Sequence, residues 1–300
     1  MSARSASRET GGGPPVTDAD EGSGLDEPVV YEEREGLLDR VPRWVAIVGL
    51  AILGLALWQL IVGLELISRI LLPTPLDTAR EIVDSAGNIV TGGHVFEALW
   101  ITTQEVILGF VAAAVLGFGL GVLVGETRFG QRAVMPYLVG FNALPKVAFA
   151  PVFVAWLGFG VSSKVVMALF IAFFPVIVDT AAGLAATDRD TITLFRSMGA
   201  NRWQTLGKLK LPTALPFIFA GLKTAAVFSV VGAVVGEYLG GGKGLGELVR
   251  LSAQQLRIDR VFALIFYLSL IGLALFAVVG WLERRIVFWH RPDPTDVASA

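Results

Sequence analysis

The stretch DRDTITLFRSMGANRWQTLGKLKLP, residues 188–212, decides how this sequence folds. It lies between two long apolar segments, yet it carries five cations: Arg189, Arg196, Arg202, Lys208 and Lys210. Placing these cations at the centre of a bilayer would cost more than about 12 kcal/mol, so the stretch must lie outside the membrane. Its helical apolar spacing, its glycine and its closing Leu-Pro nevertheless predict a folded element rather than a slack linker.

The first part of this stretch, residues 188–198, is predicted to form a short amphipathic helix. Asp188 or Asp190 can cap its start, because a carboxylate accepts hydrogen bonds from the free amides of the first turn. Gly199 is a natural end for it. Three apolar side chains fall at helical spacing on one side: Ile192, Phe195 and Met198.

A second short helix is predicted over residues 202–209, with Gln204 and Lys208 on its outer side. Its apolar side would consist of Trp203, Leu206 and Leu209. Pro212 then opens the next membrane helix, where its missing N–H costs nothing. The two helices would together present an apolar surface ringed by cations. This surface fits either an interfacial helix pair held by lipid headgroups or a plug for a groove on a soluble partner.

The composition indicates a membrane protein and excludes several kinds of site. The 300 residues are 54% hydrophobic with a mean hydropathy of +0.67. Cysteine is absent, and the two histidines, His94 and His290, are far apart in sequence. The chain therefore cannot assemble a Cys/His metal cluster or a Cys-His nucleophile. We expect neither enzymatic activity nor a cofactor in this chain.

Apolar runs of about 20 residues match the thickness of a bilayer and predict an all-α, polytopic membrane protein with six transmembrane helices. The six runs are approximately 44–67, 97–124, 133–158, 163–183, 213–238 and 261–282. Residues 68–96 and 239–260 are the longer external connections. We expect a disordered, acidic N-terminus over 1–42, a membrane domain over 43–290 with its loop at 184–212, and a C-terminal tail over 291–300.

Lysine and arginine counts beside the spans predict which face is cytoplasmic. With the N-terminus inside, thirteen cations lie on the inner side: Arg34, Arg40, Arg43, Arg128, Arg132, Arg189, Arg196, Arg202, Lys208, Lys210, Arg284, Arg285 and Arg291. Seven lie on the other side: Arg69, Arg80, Lys164, Lys243, Arg250, Arg257 and Arg260. This bias predicts that both termini and the 184–212 loop face the cytoplasm.

Small residues recur at every fourth position of two spans. The second span carries Gly109, Ala113, Gly117, Gly121 and Gly125, and the fifth carries Gly221, Ala225, Ser229 and Ala233. Such stripes allow helices to approach closely in lipid. They fit packing inside one subunit or a contact between two subunits.

Prolines predict breaks in two spans, at Pro136, Pro145 and Pro151 in the third and at Pro175 in the fourth. Membrane helices tolerate free carbonyls where they face protein or a water-filled path. We therefore expect the region 145–151 and the opposing fifth span to line the substrate path. Simple kinking of the helices is the alternative.

Several charged residues inside or beside the spans are candidates for the same path. Lys146 and Lys223 could contact an anion, although Lys223 is close enough to the inner face to reach the headgroups. Glu237 could belong to an outer gate or cap the surface. For Glu105 and Asp179 we expect pairing or extension toward an interface, rather than proton coupling.

The spacing from Gly199 through nine residues to Leu209, then one residue and Leu211-Pro212, resembles the signature loop of permease subunits of ABC importers. In that family the loop reads acidic-Ala-Ala, three residues, Gly, nine residues, Ile, one residue, Leu-Pro. Thr193-Leu194-Phe195 stands where the acidic-Ala-Ala opening belongs, so the role of the family's glutamate is not carried over.

The resemblance extends over about residues 45 to 290. It includes Leu144-Pro145-Lys146, Trp156-Leu-Gly-Phe-Gly160, Phe173-Phe174-Pro175, Gly236-Glu237-Tyr238 and Gly244-Leu245-Gly246. These motifs are similar to the branch that handles nitrate, sulfonates, taurine and precursors of thiamine or riboflavin.

The resemblance implies an importer permease fold and a homodimer of six-helix subunits. It also implies two cytoplasmic ATPase subunits and an extracellular binding protein. The loop would then be the coupling helix that contacts the ATPase, through Arg196, Gly199, Ala200, Arg202, Trp203, Leu209 and Pro212. Alternatives are a secondary carrier, which should show inverted repeats and paired acids in mid-span, and a membrane enzyme, which needs a clustered polar site.

Overall fold

The computed structural model describes residues 42–65, 67–68, 71–127 and 129–289. All regular structure within these ranges is helical. The predicted tails lie outside the described residues apart from Pro42, as do His290 and the orientation residues Arg34, Arg40, Arg69, Arg128 and Arg291. The chain divides into two units at residues 52 and 53, inside the first helix. The described part of the first unit is the start of that helix.

The helices are numbered in chain order. They are α1 (Arg43–Gly63), α2 (Pro75–Val90), α3 (His94–Glu126), α4 (Met135–Asn142), α5 (Ala150–Leu157), α6 (Val161–Ala185), α7 (Arg189–Ser197), α8 (Arg202–Thr205), α9 (Leu211–Gly240), α10 (Leu245–Gln254) and α11 (Ile258–Ile286). A π-helical turn over Gly130–Val134 precedes α4, and another over Leu206–Lys210 joins α8 to α9. A 3-10 turn over Lys146–Phe149 precedes α5.

Among the described residues, five helical segments are long and apolar enough to cross a bilayer, and the segment from 130 to 157 forms a sixth, bent candidate. The packing of α3 on α6 shows that this bent segment also crosses. Gly109 of α3 faces Ala168 of α6, and Gly125 faces Leu184, so the two helices run in the same direction. The chain between them must return to the opposite face, which confirms the prediction of six spans.

The third span is broken as predicted, but at one place only, where its halves 130–142 and 146–157 meet at 83°. The break falls just before and at Pro145, which cannot donate a backbone hydrogen bond. Pro136 and Pro151 lie in the first turns of α4 and α5, where a missing N–H is harmless, so no break arises at either. The predicted break at Pro175 is wrong, since α6 continues through it.

The core of the second unit is built by α6 between α3 and α9, and small residues set its spacing. A methyl group added at Gly232 of α9 would lie 2.5 Å from the Cα of Ala168, and one at Gly121 of α3 would lie 2.6 Å from the Cβ of Thr180. The stripe residues of both spans are buried. Of the two interpretations of these stripes, packing inside one subunit is confirmed.

Helix α9 runs antiparallel to α6, since Gly221 faces Asp179 and Gly236 faces Lys164. Helix α11 in turn runs antiparallel to α9, because Gly280 lies beside Lys223 and Gly272 beside Val230. The end of α11 therefore lies on the same face as the 184–212 loop. We call the opposite face, where α9 ends near Gly240, the far end.

The two connections predicted as external loops contain helices α2 and α10. Both are too polar to form apolar runs, so the hydropathy pattern does not predict them. The hydroxyl of Thr74 caps α2 by accepting from the amide of Asp77 at 3.0 Å. Tyr267 of α11 donates to the carbonyl of Ile82 at 2.7 Å and so holds α2 against the membrane helices.

Candidate functional site

The loop between α6 and α9 begins as the sequence predicts. Asp188 caps α7, accepting from the amide of Thr191 at 2.8 Å and from its hydroxyl at 2.7 Å. These hydrogen bonds, the one from the hydroxyl first, hold the pKa of the Asp188 carboxyl below its usual value. Of the two caps considered, Asp188 is therefore the one that forms.

Gly199 ends α7 in a left-handed conformation, with φ of +81°. The amide of Gly199 donates to the carbonyl of Arg196 at 2.9 Å, and the amide of Ala200 donates to that of Phe195 at 3.0 Å. These bonds satisfy the last carbonyls of the helix in the way that a glycine after a helix end allows. The predicted end of the first helix is confirmed.

The second helix differs from the prediction, because it does not stop at Leu209. Asn201 and Gln204 cap its start reciprocally, each side chain bonding the backbone amide of the other at 2.8 and 2.9 Å. From Arg202 the helix then continues to Gly240 as one 39-residue segment. The π-helical turn precedes Pro212 directly. This turn shifts the hydrogen-bond pattern where the proline cannot donate, so the helix goes on instead of restarting.

Three large apolar side chains of the loop face outward. Trp203 is 80% exposed, Met198 76% and Leu194 58%. Leu206 is buried and Leu209 is half-buried, so the predicted apolar side of Trp203, Leu206 and Leu209 is divided between surface and core. Exposed apolar groups of this size outside a membrane span are typical of a contact surface. We call these three exposed residues, Leu194, Met198 and Trp203, the apolar knob.

Three cations of the loop lie beside the end of α3. A cavity of about 510 Å³ is lined by Glu126, Thr127, Phe129, Arg196, Ala200, Arg202, Thr205 and Lys210. Lys210 is paired with Glu126 at 2.7 Å, which ties the loop to the end of α3. No described carboxylate lies within ion-pair distance of Arg196 or Arg202. These two guanidinium groups are free to meet an acidic partner.

The five residues predicted for the substrate path do not form one cluster. Lys146 follows the break at Pro145, half-buried, and Pro151 lies one turn further on in α5. Lys223 is paired with Glu283 of α11, so its charge is already neutralised within the chain. Glu237 is fully buried at the far end, and the alternative of a surface cap is therefore wrong.

Glu237 belongs to a charge cluster that the sequence did not reveal. Lys164, 2% exposed, lies 3.5 Å from a carboxylate oxygen of Glu105, which is itself fully buried. Glu237 accepts from the hydroxyl of Thr102 and from the amide of Gly246. We call Thr102, Glu105, Lys164 and Glu237 the buried charge cluster. The expected pairing of Glu105 is confirmed.

This cluster holds the start of α10 in place. The amide of Leu245 donates to the hydroxyl of Thr102 at 2.8 Å, and Lys164 donates to the carbonyl of Lys243 at 2.9 Å. The orientation count treated Lys164 as an external cation, whereas the structure buries it among three helices. The position of Lys164 in the first turn of an apolar span was the one sequence feature that could have predicted its burial.

Asp179 and His94, the remaining candidate residues, do not form a separate site within the described part of the chain. Asp179 is half-buried and packs against Gly221. The ring of His94 contacts the side chains of Asn88 and Arg260. Within the described ranges, no group of three side chains could hold a metal ion.

Comparison with known proteins places this geometry in context. Residues 106–288 match the family described as binding-protein-dependent transport system inner membrane component. The formylaminopyrimidine transport permease protein ThiX of Halalkalibacterium halodurans is 36% identical, over 74% of this chain and 86% of that protein. The riboflavin transport system permease protein RibX of Chloroflexus aurantiacus is 32% identical, over 79% of this chain and 87% of that protein.

Two further similarities bear on the branch and on the fold. The taurine transport system permease protein TauC of Escherichia coli is 29% identical, over 79% of this chain and 86% of that protein. A chain from the inward-facing MetNI methionine ABC transporter superposes with a TM-score of 0.53 at 21% identity, covering 65% of this chain and 96% of that chain. The latter similarity supports the fold alone.

Proposed function

Because this chain belongs to the family of binding-protein-dependent transport system inner membrane components, whose members are ABC importer permeases, we propose that it moves a small anionic solute inward under the drive of a separate ATPase. The observation that carries this proposal is the 184–212 loop, a capped element with an exposed apolar knob and two unpaired arginines. Such an element suits a groove on a soluble protein, because tryptophan and arginine side chains presented on a rigid backbone are the anchors that dominate protein interfaces.

The assembly follows from the same family membership. We propose two ATPase subunits that bind the loops on the cytoplasmic face, an external binding protein and a second copy of this chain. Both termini would then be cytoplasmic, with residues 1–42 and 291–300 forming tails of the membrane domain 43–290. ATP hydrolysis belongs to the partner, and this chain carries no cofactor in the proposal.

The proposed mechanism is a shift between two conformations. Closure of the ATPase subunits on ATP draws the loops of the two permease subunits together and favours the outward-open state, and their separation favours the inward-open state. The coupling residues Arg196, Gly199, Ala200, Arg202, Trp203, Leu209 and Pro212 would transmit this motion. Their role requires a stiff loop, and the Asp188 and Asn201 caps together with the continuous helix into α9 supply the stiffness.

The nature of the solute is proposed from the relatives. Their names include taurine, aliphatic sulfonates and nitrate, which are small and carry an anionic group, but also riboflavin and formylaminopyrimidine. We favour an anion because Lys146, a membrane-embedded cation, has no ion-pair partner among the described residues.

Co-purification with an ABC ATPase subunit co-expressed with this chain tests the coupling assignment. We expect Trp203→Ala and Gly199→Asp to lose ATPase binding and ATP-driven uptake into reconstituted vesicles, while membrane insertion is retained. Trp100→Ala is the matched control, since Trp100 is also exposed (56%) but lies near the start of α3 on the opposite face. Unchanged binding and uptake in both loop variants would contradict the assignment. Full uptake without any ATPase, driven by an ion gradient, would favour a secondary carrier.

A further inference from the structure

Lys146 lies halfway across the membrane. Its ammonium group is 4.7 Å from the centre of the Phe174 ring. Phe174 lies close to the middle of α6, which runs from Val161 to Ala185. At a rise of 1.5 Å per residue, the Phe174 position is about 20 Å from one end of α6 and about 17 Å from the other. The ammonium group therefore lies near the centre of the bilayer.

Three lysines in or beside the apolar parts of the described spans have carboxylate partners, and Lys146 does not. Lys164 pairs with Glu105, Lys210 with Glu126 and Lys223 with Glu283. Lys146 instead donates to the side-chain carbonyl of Asn142 at 2.6 Å and contacts the face of Phe174. An amide and an aromatic ring stabilise a cation, but they leave its charge uncompensated in a place where a cation costs about 3 kcal/mol.

The backbone beside Lys146 cannot face lipid. Residues 143–145 lie between the two halves of the bent span and are all exposed on this chain. Non-helical backbone is tolerated at this depth only where it is covered by protein or lines a water-filled cavity. A cation that lacks a counter-charge beside this backbone favours the water-filled cavity.

We propose that Lys146, with Asn142 and Phe174, is the mid-membrane contact site for the anionic group of the solute, at the wall of the aqueous path. This inference rests on the proposed function and assigns its substrate contact to one residue. An ammonium group has three donors, and Asn142 takes one, so two remain for a carboxylate, sulfonate or nitrate oxygen. One cation with a neutral partner gives a weak site, which an ion must have in order to leave again.

Lys223 and Glu237 are not substrate contacts in this proposal, because their polar groups are engaged within the chain. Lys223 is neutralised by Glu283, and both carboxylate oxygens of Glu237 are engaged with Thr102 and Gly246. These residues hold helices together.

The absence of cysteine makes this proposal directly testable. Val147→Cys places a single thiol next to Lys146, at an exposed position. The transporter, in membranes with its partner subunits, is treated with an anionic reagent (sulfonatoethyl methanethiosulfonate) and a cationic one (trimethylammonioethyl methanethiosulfonate). Val115→Cys is the control, since it is exposed on the unbroken helix α3 at the depth where α3 packs on Phe173.

We expect the thiol at residue 147 to react with the anionic reagent about tenfold faster than with the cationic one, relative to their rates with a free thiol. Tenfold is the lower end of the effect of a cleft lined by one sign of charge. Adding Lys146→Gln should abolish this preference, and Lys146→Arg should retain it. The thiol at residue 115 should stay unreactive with both reagents.

An unreactive thiol at residue 147, or a charge preference that survives Lys146→Gln, would overturn the proposal. Failure of the coupling assignment gives a different pattern. In that case Trp203→Ala leaves both uptake and labelling unchanged. If only the present inference fails, Trp203→Ala still stops uptake.

Discussion

The loop at 184–212 and the buried charge cluster at the far end both place charges in a largely apolar protein, but they treat them in opposite ways. The cluster encloses its charges: Lys164, Glu105 and Glu237 are each at most 2% exposed and face one another or backbone groups. The loop leaves Arg196 and Arg202 without a described carboxylate partner and exposes Trp203 beside them. A charge with a partner inside the chain holds the fold, and one without points to another molecule.

Replacing Lys164 with methionine should be the most damaging change at the far end. It leaves two buried carboxylates without a cation, and removing one partner of a buried ion pair costs about 3–5 kcal/mol. Thermal unfolding of the detergent-solubilised protein would measure the loss. Lys243→Met is the matched control, because its pair with Glu97 is exposed on both sides and is worth less than about 1 kcal/mol.

A double variant tests whether the loss of stability comes from the unpaired carboxylates. Adding Glu105→Gln to Lys164→Met removes one uncompensated charge and should recover part of the lost stability. Equal unfolding temperatures for Lys164→Met and Lys243→Met would contradict the view that the cluster stabilises the fold.

One glycine at the far end and one in the loop permit a paired test in which we expect an effect of intermediate size on stability. Gly244, with φ of +138°, leaves no room for a methyl group, which would collide with the buried carboxylate of Glu237. Gly199, with φ of +81°, has nothing within 4 Å of that position. We expect Gly244→Ala to cost more than about 2 kcal/mol, and Gly199→Ala only about 1 kcal/mol of backbone strain. Comparable unfolding temperatures for the two variants would show that the far end accommodates the added methyl group and is no more tightly packed than the loop.

The smallest effect is expected at Asp188, where pH gives the test. The pKa of this carboxyl is lower in the folded chain than its usual value, because Thr191 donates to the ionised form. Its stabilisation of α7 is therefore present above the usual pKa and is lost as the pH falls through the folded value, below about pH 4. Hydrogen exchange of the peptide 188–198, corrected for intrinsic rates, measures this.

Two substitutions separate the cap from the charge. Asparagine also caps helices well, so Asp188→Asn should keep α7 protected and remove the dependence on pH. Asp188→Ala should lose protection at every pH. A pH dependence that persists in Asp188→Asn would assign the effect to another group.

The two regions also differ in how far the sequence alone could predict them. The Asp188 cap and the Gly199 end are local, since each depends on residues within five positions, and both are as predicted. The burial of Lys164 depends on Glu105, which lies in a different helix, and on Lys243, which lies beyond the next membrane helix. No local pattern encodes such distant contacts. Counting the cations beside the spans therefore predicted that Lys164 lies on the external face. For the same reason the partner of Lys223 on α11 could not be foreseen.

The third span shows a similar limit. Prolines indicated breaks in the third and fourth spans, but these four prolines gave one break, because Pro136 and Pro151 occupy first turns and Pro175 is accommodated within α6. Whether the bent segment crosses or returns was decided by the parallel packing of α3 on α6, a tertiary property. Apolar length alone predicted six runs, and the packing established that the bent one crosses.

The unbroken helix from Arg202 to Gly240 has a mechanical consequence. Its 39 residues span about 58 Å. A tilt of about 10° around its midpoint would swing the two tips by about 5 Å in opposite directions. Trp203 lies at one end and Glu237 near the other, so a displacement of the first is transmitted to the second through one helix whose only irregularities are the π-helical turn and Pro216. A single tilting helix would thereby widen the protein at one membrane face and narrow it at the other in the same movement.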